Sequence, residues 1–148
     1  MTFTPDEPRL PRGIRNNNPG NIRATPTAWR GERVGADPAF EVFATPEDGL
    51  RALARLLLTY WRRLGLRTVG AIVSRFAPPR ENDTQAYIRH VAGAMGVRPD
   101  TPLALEDPAV LARLVKAIVR HENGLRADGT PWYDDATIER AVDSAMES

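Results

Sequence analysis

The segment Arg12–Arg23, RGIRNNNPGNIR, places four asparagines within six positions, interrupted by Pro19 and Gly20. Such a run disfavours regular helix and strand, because Asn side chains compete for backbone hydrogen bonds, proline lacks a donor and glycine permits a positive φ. Each Asn also carries two amide donors and a carbonyl acceptor. The segment therefore predicts a shaped turn. It is either a surface turn built on Asn caps or one whose amides bind an N-acetylated sugar or a similar ligand.

Length, charge and composition narrow the class of protein. A chain of 148 residues with a net charge of +1 predicts one domain that does not work through a strongly basic surface. The absence of cysteine excludes disulfides and thiolate metal sites. His90 and His121 are far apart in the sequence, so neither a metal site nor another cofactor is expected.

The ends of the chain and its apolar stretches predict one domain and no membrane span. Residues 1–11 read as a flexible, proline-containing arm, and residues 12–148 as the domain. The first residues lack the basic and apolar parts of a secretory signal. Leu50–Tyr60 contains Arg51 and Arg55, and it is too short and too charged to cross a bilayer.

Local signals predict five helices after an irregular N-terminal part. Thr45-Pro46 combines a hydroxyl cap with proline at the first helical position, and apolar residues then recur at helical spacing. The other predicted starts are Thr68, Asp83 or Thr84, Asp107-Pro108, and Asp135. Ala39–Phe43, AFEVF, fits a short strand with Phe40 and Val42 on one face. The predicted fold is mostly α, with a small irregular or β portion near the N-terminus.

Glu122 is the candidate for acid chemistry. The apolar stripe of the helix that begins at Asp107 includes Leu114 and Ile118, and Glu122 continues it. A carboxyl group in place of an apolar residue must be paired or protonated. The negative end of the helix dipole and burial both disfavour its ionised form, which suits a general acid. Periodicity leaves open the alternative that Glu122 faces solvent or pairs with an arginine.

The same helix end resembles a known catalytic motif. Ala117–Gly124, AIVRHENG, resembles the catalytic helix end of lysozyme-like lytic transglycosylases, where Glu-Ser-Gly supplies the catalytic glutamate. Asn123 stands where those enzymes have serine. Glu81–Ile88 with Val91 resembles their later Glu-Thr and Tyr-Val motif, which places Tyr87 in the site.

A second resemblance covers the N-terminal turn. Asn18–Arg23 with Trp29 and Gly31 is similar to the Asn, Gly-Ile-Lys and Trp-x-Gly run of bacterial glucosaminidases. In those enzymes the glutamate comes first, so the order here implies a circularly permuted lysozyme-like domain. From RNNNPGNIR to HENG, the pattern also resembles small phage and prophage proteins labelled virion structural proteins or peptidoglycan hydrolases.

These resemblances imply cleavage of the β-1,4 bond between N-acetylmuramic acid and N-acetylglucosamine in peptidoglycan. Glu122 would protonate the glycosidic oxygen. A hydrolase needs a second carboxylate, whereas a lytic transglycosylase uses the 6-hydroxyl of the sugar itself. The candidate second carboxylates are Glu41, Glu47, Asp128 and Asp134. No pattern singles out one of them, which favours the transglycosylase.

The expected partner is a glycan strand, bound by a protein that acts as a monomer. Such a protein would be made in the cytoplasm and reach the cell wall after release, injection or export. Arg15 and Arg23 are expected either to meet its lactyl or peptide carboxylates or to be solvated. The expected substrate-binding residues, each with a purely structural alternative, are Asn17, Asn18, Asn21, Trp29, Tyr87 and Asn123.

Two other functions compete with this interpretation. The first is a virion structural or glycan-binding protein that keeps the lysozyme-like shape without cleaving glycan. The second is a nucleic-acid module that uses Arg12, Arg15, Arg23 and Arg30, which the nearly zero net charge disfavours. The enzyme interpretation makes a spatial prediction: the turn Asn18–Asn21 should lie next to Glu122.

Overall fold

The computed structural model describes residues 10–147, and the part of the predicted arm in residues 1–9 lies outside the described residues. Within residues 10–147 the prediction of a mostly α fold is confirmed. None of the helices in this range is both long and apolar enough to cross a membrane. The helices are α1 Arg12–Arg15, α2 Pro46–Arg63, α3 Val69–Phe76, α4 Thr84–Met95, α5 Pro108–Asn123 and α6 Asp135–Met146.

The five predicted helix starts are confirmed, because each helix begins with a side-chain cap. The Thr45 hydroxyl accepts a hydrogen bond from the Asp48 amide at 3.1 Å, with Pro46 at the first helical position of α2. Thr68 and Asp83 cap α3 and α4 in the same manner. Asp107 and Asp134 cap α5 and α6. Local side-chain chemistry was therefore sufficient to locate these helices.

Helix α5 is the central element of the fold. It packs against α1, α2, α4 and α6. Its apolar stripe is fully buried, as Leu111, Leu114 and Ile118 show no exposure. On α2, Leu50, Leu53 and Leu57 are buried equally well. The C-terminal end of α5, where Glu122 lies, is therefore held in place by packing along the whole helix.

The short strand predicted at Ala39–Phe43 is wrong. This segment makes only isolated antiparallel bridges, Arg23 to Phe40 and Glu32 to Phe43. Glu41 and Phe43 face the interior with exposures of 5% and 1%, whereas Phe40 and Val42 are half-buried. The apolar alternation thus pointed to the wrong face, since a buried carboxyl group occupies the inward position. The short helix α1 was also not predicted.

The asparagine-rich turn packs directly against α2. Asn17 and Asn21 both adopt a φ of +50°, in the left-handed region that Asn tolerates better than most residues. Gly49, in the first turn of α2, lies against the Asn17 carbonyl, and a Cβ at this glycine would come within 1.8 Å of that oxygen. Gly49 is therefore required for the turn to approach the helix backbone.

Substitution of Gly49 by alanine is expected to destabilise the protein by about 2 kcal/mol or more, because the turn must move away from α2. Gly93→Ala on α4 is the matched control. No atom lies within 4 Å of the position of its added Cβ, so this change should be neutral or stabilise by up to about 1 kcal/mol. Urea unfolding measures both values. Equal stability of the two variants would show that the Asn17–Gly49 contact is not close.

Candidate active site

Two donors from distant parts of the chain converge on the Glu122 carboxyl group. Asn21 Nδ2 donates to Glu122 Oε1 at 2.8 Å, across 101 residues of sequence. The Tyr87 hydroxyl donates to Glu122 Oε2 at 2.6 Å. The prediction that the Asn18–Asn21 turn lies next to Glu122 is therefore confirmed. Both carboxyl oxygens are oriented, and the half-buried side chain keeps one edge on a cavity.

A second contact joins the turn to the end of α5. Asn123 Nδ2 donates to the Pro19 carbonyl at 2.7 Å and to the Val119 carbonyl at 3.0 Å. Asn123 is only 8% exposed and does not line the cavity that Glu122 faces. The expectation that Asn123 binds substrate is therefore corrected: its side chain fastens the turn to the helix that carries Glu122.

Asn18 is also a structural residue rather than a ligand-facing one. Its side chain is fully buried. Nδ2 donates to the carbonyls of Ile22 and Glu41 at 2.9 and 3.0 Å, and Oδ1 accepts from the Ile22 amide at 3.0 Å. Asn17 likewise uses its amide within the protein, on the Phe43 carbonyl at 3.1 Å. The expected sugar contact of Asn18 is thus replaced by bonds that shape the turn, and that of Asn17 stays a prediction.

Tyr87 holds Glu122 from the protein side. Its side chain is 1% exposed, and its ring lies between His121, at a centroid distance of 3.7 Å, and the edge of Phe76 at 6.5 Å. Burial raises the pKa of Tyr87 well above its usual range, and the charge and hydrogen bond of Glu122 add to this effect. The hydroxyl therefore stays protonated. Tyr87 is a donor that positions Glu122, and it is too buried to bind a ligand directly.

His121 forms the next layer behind Tyr87. Its Nδ1 lies 3.0 Å from Nδ1 of His90, a distance that requires one of these nitrogens to donate and the other to accept. Burial lowers the pKa of His121, and His90 adds to this, whereas the negative charge of Glu122 opposes it. Among the described residues, no three His, Asp or Glu side chains form a group suited to hold a metal ion.

Glu122 opens onto a cavity of about 520 Å³, a volume typical of small-ligand sites. Of the residues expected from sequence, four line it: Asn21, Arg23, Trp29 and Glu122. Tyr60 and Phe76 also line it and were not predicted, because they lie on apolar helix faces that resemble ordinary core. The cavity walls therefore combine four aromatic side chains, those of Trp29, Phe40, Tyr60 and Phe76, with amide, hydroxyl and charged groups.

None of the four candidate second carboxylates lines this cavity, so those expectations are corrected. Glu47 pairs with Arg140 at 2.9 Å, and Asp134 caps α6. Asp128 accepts hydrogen bonds from the amide and hydroxyl of Thr130. Glu41 is buried and accepts from the Thr25 amide, and its burial together with nearby Glu32 raises its pKa.

Glu81 is the second carboxylate that the structure places at the cavity. It lies in the loop between α3 and α4 and pairs with Arg23, another lining residue, at 3.0 Å. The sequence held a signal for it, since Glu81 begins the segment that resembles the Tyr87 motif. Arg15 is exposed and lies outside the cavity lining. Arg12 is engaged by Asp37 at 2.6 Å.

Comparison with known proteins identifies a similar phage protein. No protein-family model matches the chain. Protein P5 of Pseudoalteromonas phage PM2 is 43% identical over 118 residues, which cover 76% of this chain and 71% of that protein. The expected likeness to phage proteins is therefore supported at the level of sequence. The name of this relative states no activity.

The pKa of His121, which lies beside His90, predicts how the free energy of unfolding depends on pH. Since the pKa of His121 in the folded protein lies below its ordinary value of 6.5, folding favours the neutral ring. The free energy of unfolding should therefore decrease as the pH falls below about 6.5 and through the folded pKa, because the unfolded chain then binds the extra proton more readily. NMR titration of the two histidines measures the folded value directly.

Two variants separate the causes of this shift. Glu122→Gln removes an attractive charge and should lower the pKa of His121 further. His90→Gln removes a repulsive neighbour and should raise it. A His121 that titrates at 6.5 in all three proteins would contradict the packing of His121 between Tyr87 and His90.

Proposed function

The chain belongs to the family of Protein P5 of Pseudoalteromonas phage PM2, and from this premise we propose that it is a phage-encoded, lysozyme-like enzyme that cleaves the glycan strands of peptidoglycan. The bond cleaved is the β-1,4 linkage between N-acetylmuramic acid and N-acetylglucosamine. Glu122 is the general acid. The enzyme reaches the wall after release, injection or export.

The observation that carries this proposal is the convergence of Asn21 and Tyr87 on Glu122. Their donors take one lone-pair site on each carboxyl oxygen, at 2.8 and 2.6 Å, and each oxygen keeps another site. A carboxyl group held in this way has a fixed orientation toward the cavity, as proton transfer to a bound ligand requires. A glutamate that only ended a helix would need no second partner from a turn 101 residues away.

The chemistry of the cavity suits a glycan. Trp29, Tyr60 and Phe76 offer apolar ring surfaces, against which the CH faces of pyranose rings pack. Asn21, Thr25 and Thr27 add polar side chains to the same walls. Apolar walls with a few placed polar groups are the usual composition of a small-ligand site, and here the polar groups match hydroxyl and N-acetyl substituents.

The proposed reaction is a transglycosylation. Glu122 donates its proton to the glycosidic oxygen, the bond from that oxygen to C1 of N-acetylmuramic acid breaks, and the 4-hydroxyl of N-acetylglucosamine leaves. The 6-hydroxyl oxygen of the same muramic acid then bonds to C1, and its proton returns to the Glu122 carboxylate. The sum consumes no water and yields a 1,6-anhydro ring.

The cavity lining supports this route over hydrolysis. A hydrolase requires a second carboxylate that acts as nucleophile or activates water. Within residues 10–147 the cavity walls contain Glu81 as the only carboxylate besides Glu122, and Glu81 pairs with Arg23 when no ligand is bound. A substrate that supplies its own nucleophile avoids the need for another carboxylate.

Glu122→Gln is expected to reduce lysis of purified cell walls by about 10²–10⁴-fold, because an amide cannot donate the acid proton. The substitution conserves shape, so the urea unfolding midpoint should stay close to that of the unmodified protein. Glu139→Gln, an exposed site on α6, is the matched control and should retain full activity. Undiminished lysis by Glu122→Gln would instead favour a virion structural or glycan-binding protein.

Mass spectrometry of digested peptidoglycan should show 1,6-anhydromuramic ends. These are one water lighter than the reducing ends that a hydrolase leaves, because the 6-hydroxyl replaces water as the nucleophile. Reducing muramic ends would assign Glu81 or a bound water to the second step and make the protein a muramidase. Reducing glucosamine ends would move the cleaved bond to the other linkage.

A further inference from the structure

An ion pair lies in the wall of the cavity that Glu122 lines. Arg23, just after the asparagine-rich turn, faces Glu81 in the loop between α3 and α4. The pair is two-pronged: one guanidinium nitrogen lies 3.0 Å from Glu81 Oε1, and Nε donates to Oε2 at 3.2 Å. Both residues line the cavity, and about half of each side chain is exposed, 53% for Arg23 and 47% for Glu81.

A neighbouring pair shows how a permanent structural ion pair is built in this chain. Asp37 binds Arg12 at 2.6 Å and is itself 9% exposed. It also accepts from the amides of Ala39 and Phe40 and from the side chain of Asn16. The hydrogen bond from Arg12, with help from these three, holds the pKa of Asp37 well below its usual range. Glu81 receives no comparable set of bonds among the described residues, so its hold on Arg23 is weaker.

Arg23 is kept in place independently of Glu81. Its guanidinium lies over the Phe40 ring, 5.1 Å from the centroid, and its backbone forms an antiparallel bridge with Phe40. The flat guanidinium fork can therefore remain at the cavity when Glu81 leaves. Arginine forks of this kind bind carboxylates through two parallel hydrogen bonds.

We propose that Arg23 is a carboxylate subsite of the cleft, which Glu81 occupies while the cleft is empty. Under the proposed function, which this inference rests on, the entering carboxylate is the lactyl group of N-acetylmuramic acid. That carboxylate displaces Glu81, whose side chain turns into solvent. One bidentate pair replaces another, so the exchange leaves no charge buried and unpaired.

The subsite makes the cleft selective for anionic glycans. A chitin-like chain has the same N-acetyl groups and linkage but no carboxylate, so it must leave the Arg23–Glu81 pair in place or separate it without replacement. An exposed ion pair contributes little to stability by itself, so Glu81 is easily exchanged for another carboxylate. A ligand without a carboxylate gains no binding energy from Arg23 when it separates the pair. Selection thus comes from the charge that replaces Glu81.

Calorimetric titration tests this with the full chain carrying Glu122→Gln, which prevents turnover. The probes are the tetrasaccharide of alternating N-acetylglucosamine and N-acetylmuramic acid, and the same compound with its lactyl groups as methyl esters. The acid should bind roughly tenfold more tightly than the ester, as expected for a hydrogen-bonded charged pair. Added salt should reduce this preference.

Further substitutions in the same background identify the residue responsible. Arg23→Gln should abolish the preference for the acid and leave ester binding unchanged. Glu81→Gln should strengthen acid binding a few-fold, because the internal competitor is lost. Arg15→Gln, an exposed arginine outside the cavity, is the matched control and should keep the preference.

Several outcomes would overturn the subsite. Equal binding of acid and ester, or a preference that survives Arg23→Gln, would do so while leaving the glycan cleft intact. Weaker acid binding by Glu81→Gln would show that Glu81 supports the ligand rather than competing with it. If neither tetrasaccharide bound, the proposed function would fail together with the subsite.

Discussion

The junction between the asparagine-rich turn and the end of α5 is the constraint on which the site depends. Asn21 and Asn123 cross it in opposite directions, toward Glu122 and Pro19. Gly13 makes the junction possible, because a Cβ there would lie 2.6 Å from Asn123 Oδ1 and 2.9 Å from Asn21 Oδ1. A residue larger than glycine would force these two amides to shift and would disturb the junction.

Directing Nδ2 of Asn21 at the Glu122 carboxyl group lowers the stability of the fold. With Nδ2 of Asn21 turned toward Glu122, its buried Oδ1 has no partner among the described residues, and the same holds for Oδ1 of Asn123. A buried acceptor without a partner costs about 1–3 kcal/mol. This free-energy cost arises at the residues that surround Glu122. In contrast, both the Nδ2 and the Oδ1 of Asn18, three residues before Asn21, have hydrogen-bond partners.

The helix starts were predicted correctly because their signals are local. The strand at Ala39–Phe43 was predicted wrongly because a glutamate, which normally faces solvent, is buried there. Thr45 and Asp107 mark helix starts, because the side chain of a capping residue accepts a hydrogen bond from an amide two or three residues further on. The periodicity that ends in Glu122 is equally local. Glu41 is an exception to this rule. A glutamate normally indicates a solvent-facing position, but Glu41 is buried and accepts a hydrogen bond from the Thr25 amide. Sequence spacing carries no sign of that bond, so the inferred strand was wrong.

The sequence by itself determined the five longer helices, α2 to α6, the dense amide turn and the position of Glu122 on the last turn of α5, because each depends on neighbours within a few residues. Only the tertiary structure decided which amides serve the site. Asn18 and Asn21 have the same chemistry, yet one is buried with its bonds complete and the other reaches Glu122. Tertiary packing likewise brought Glu81, rather than Glu41 or Glu47, to the cavity. These choices depend on contacts between segments tens of residues apart, and spacing along the chain does not encode them.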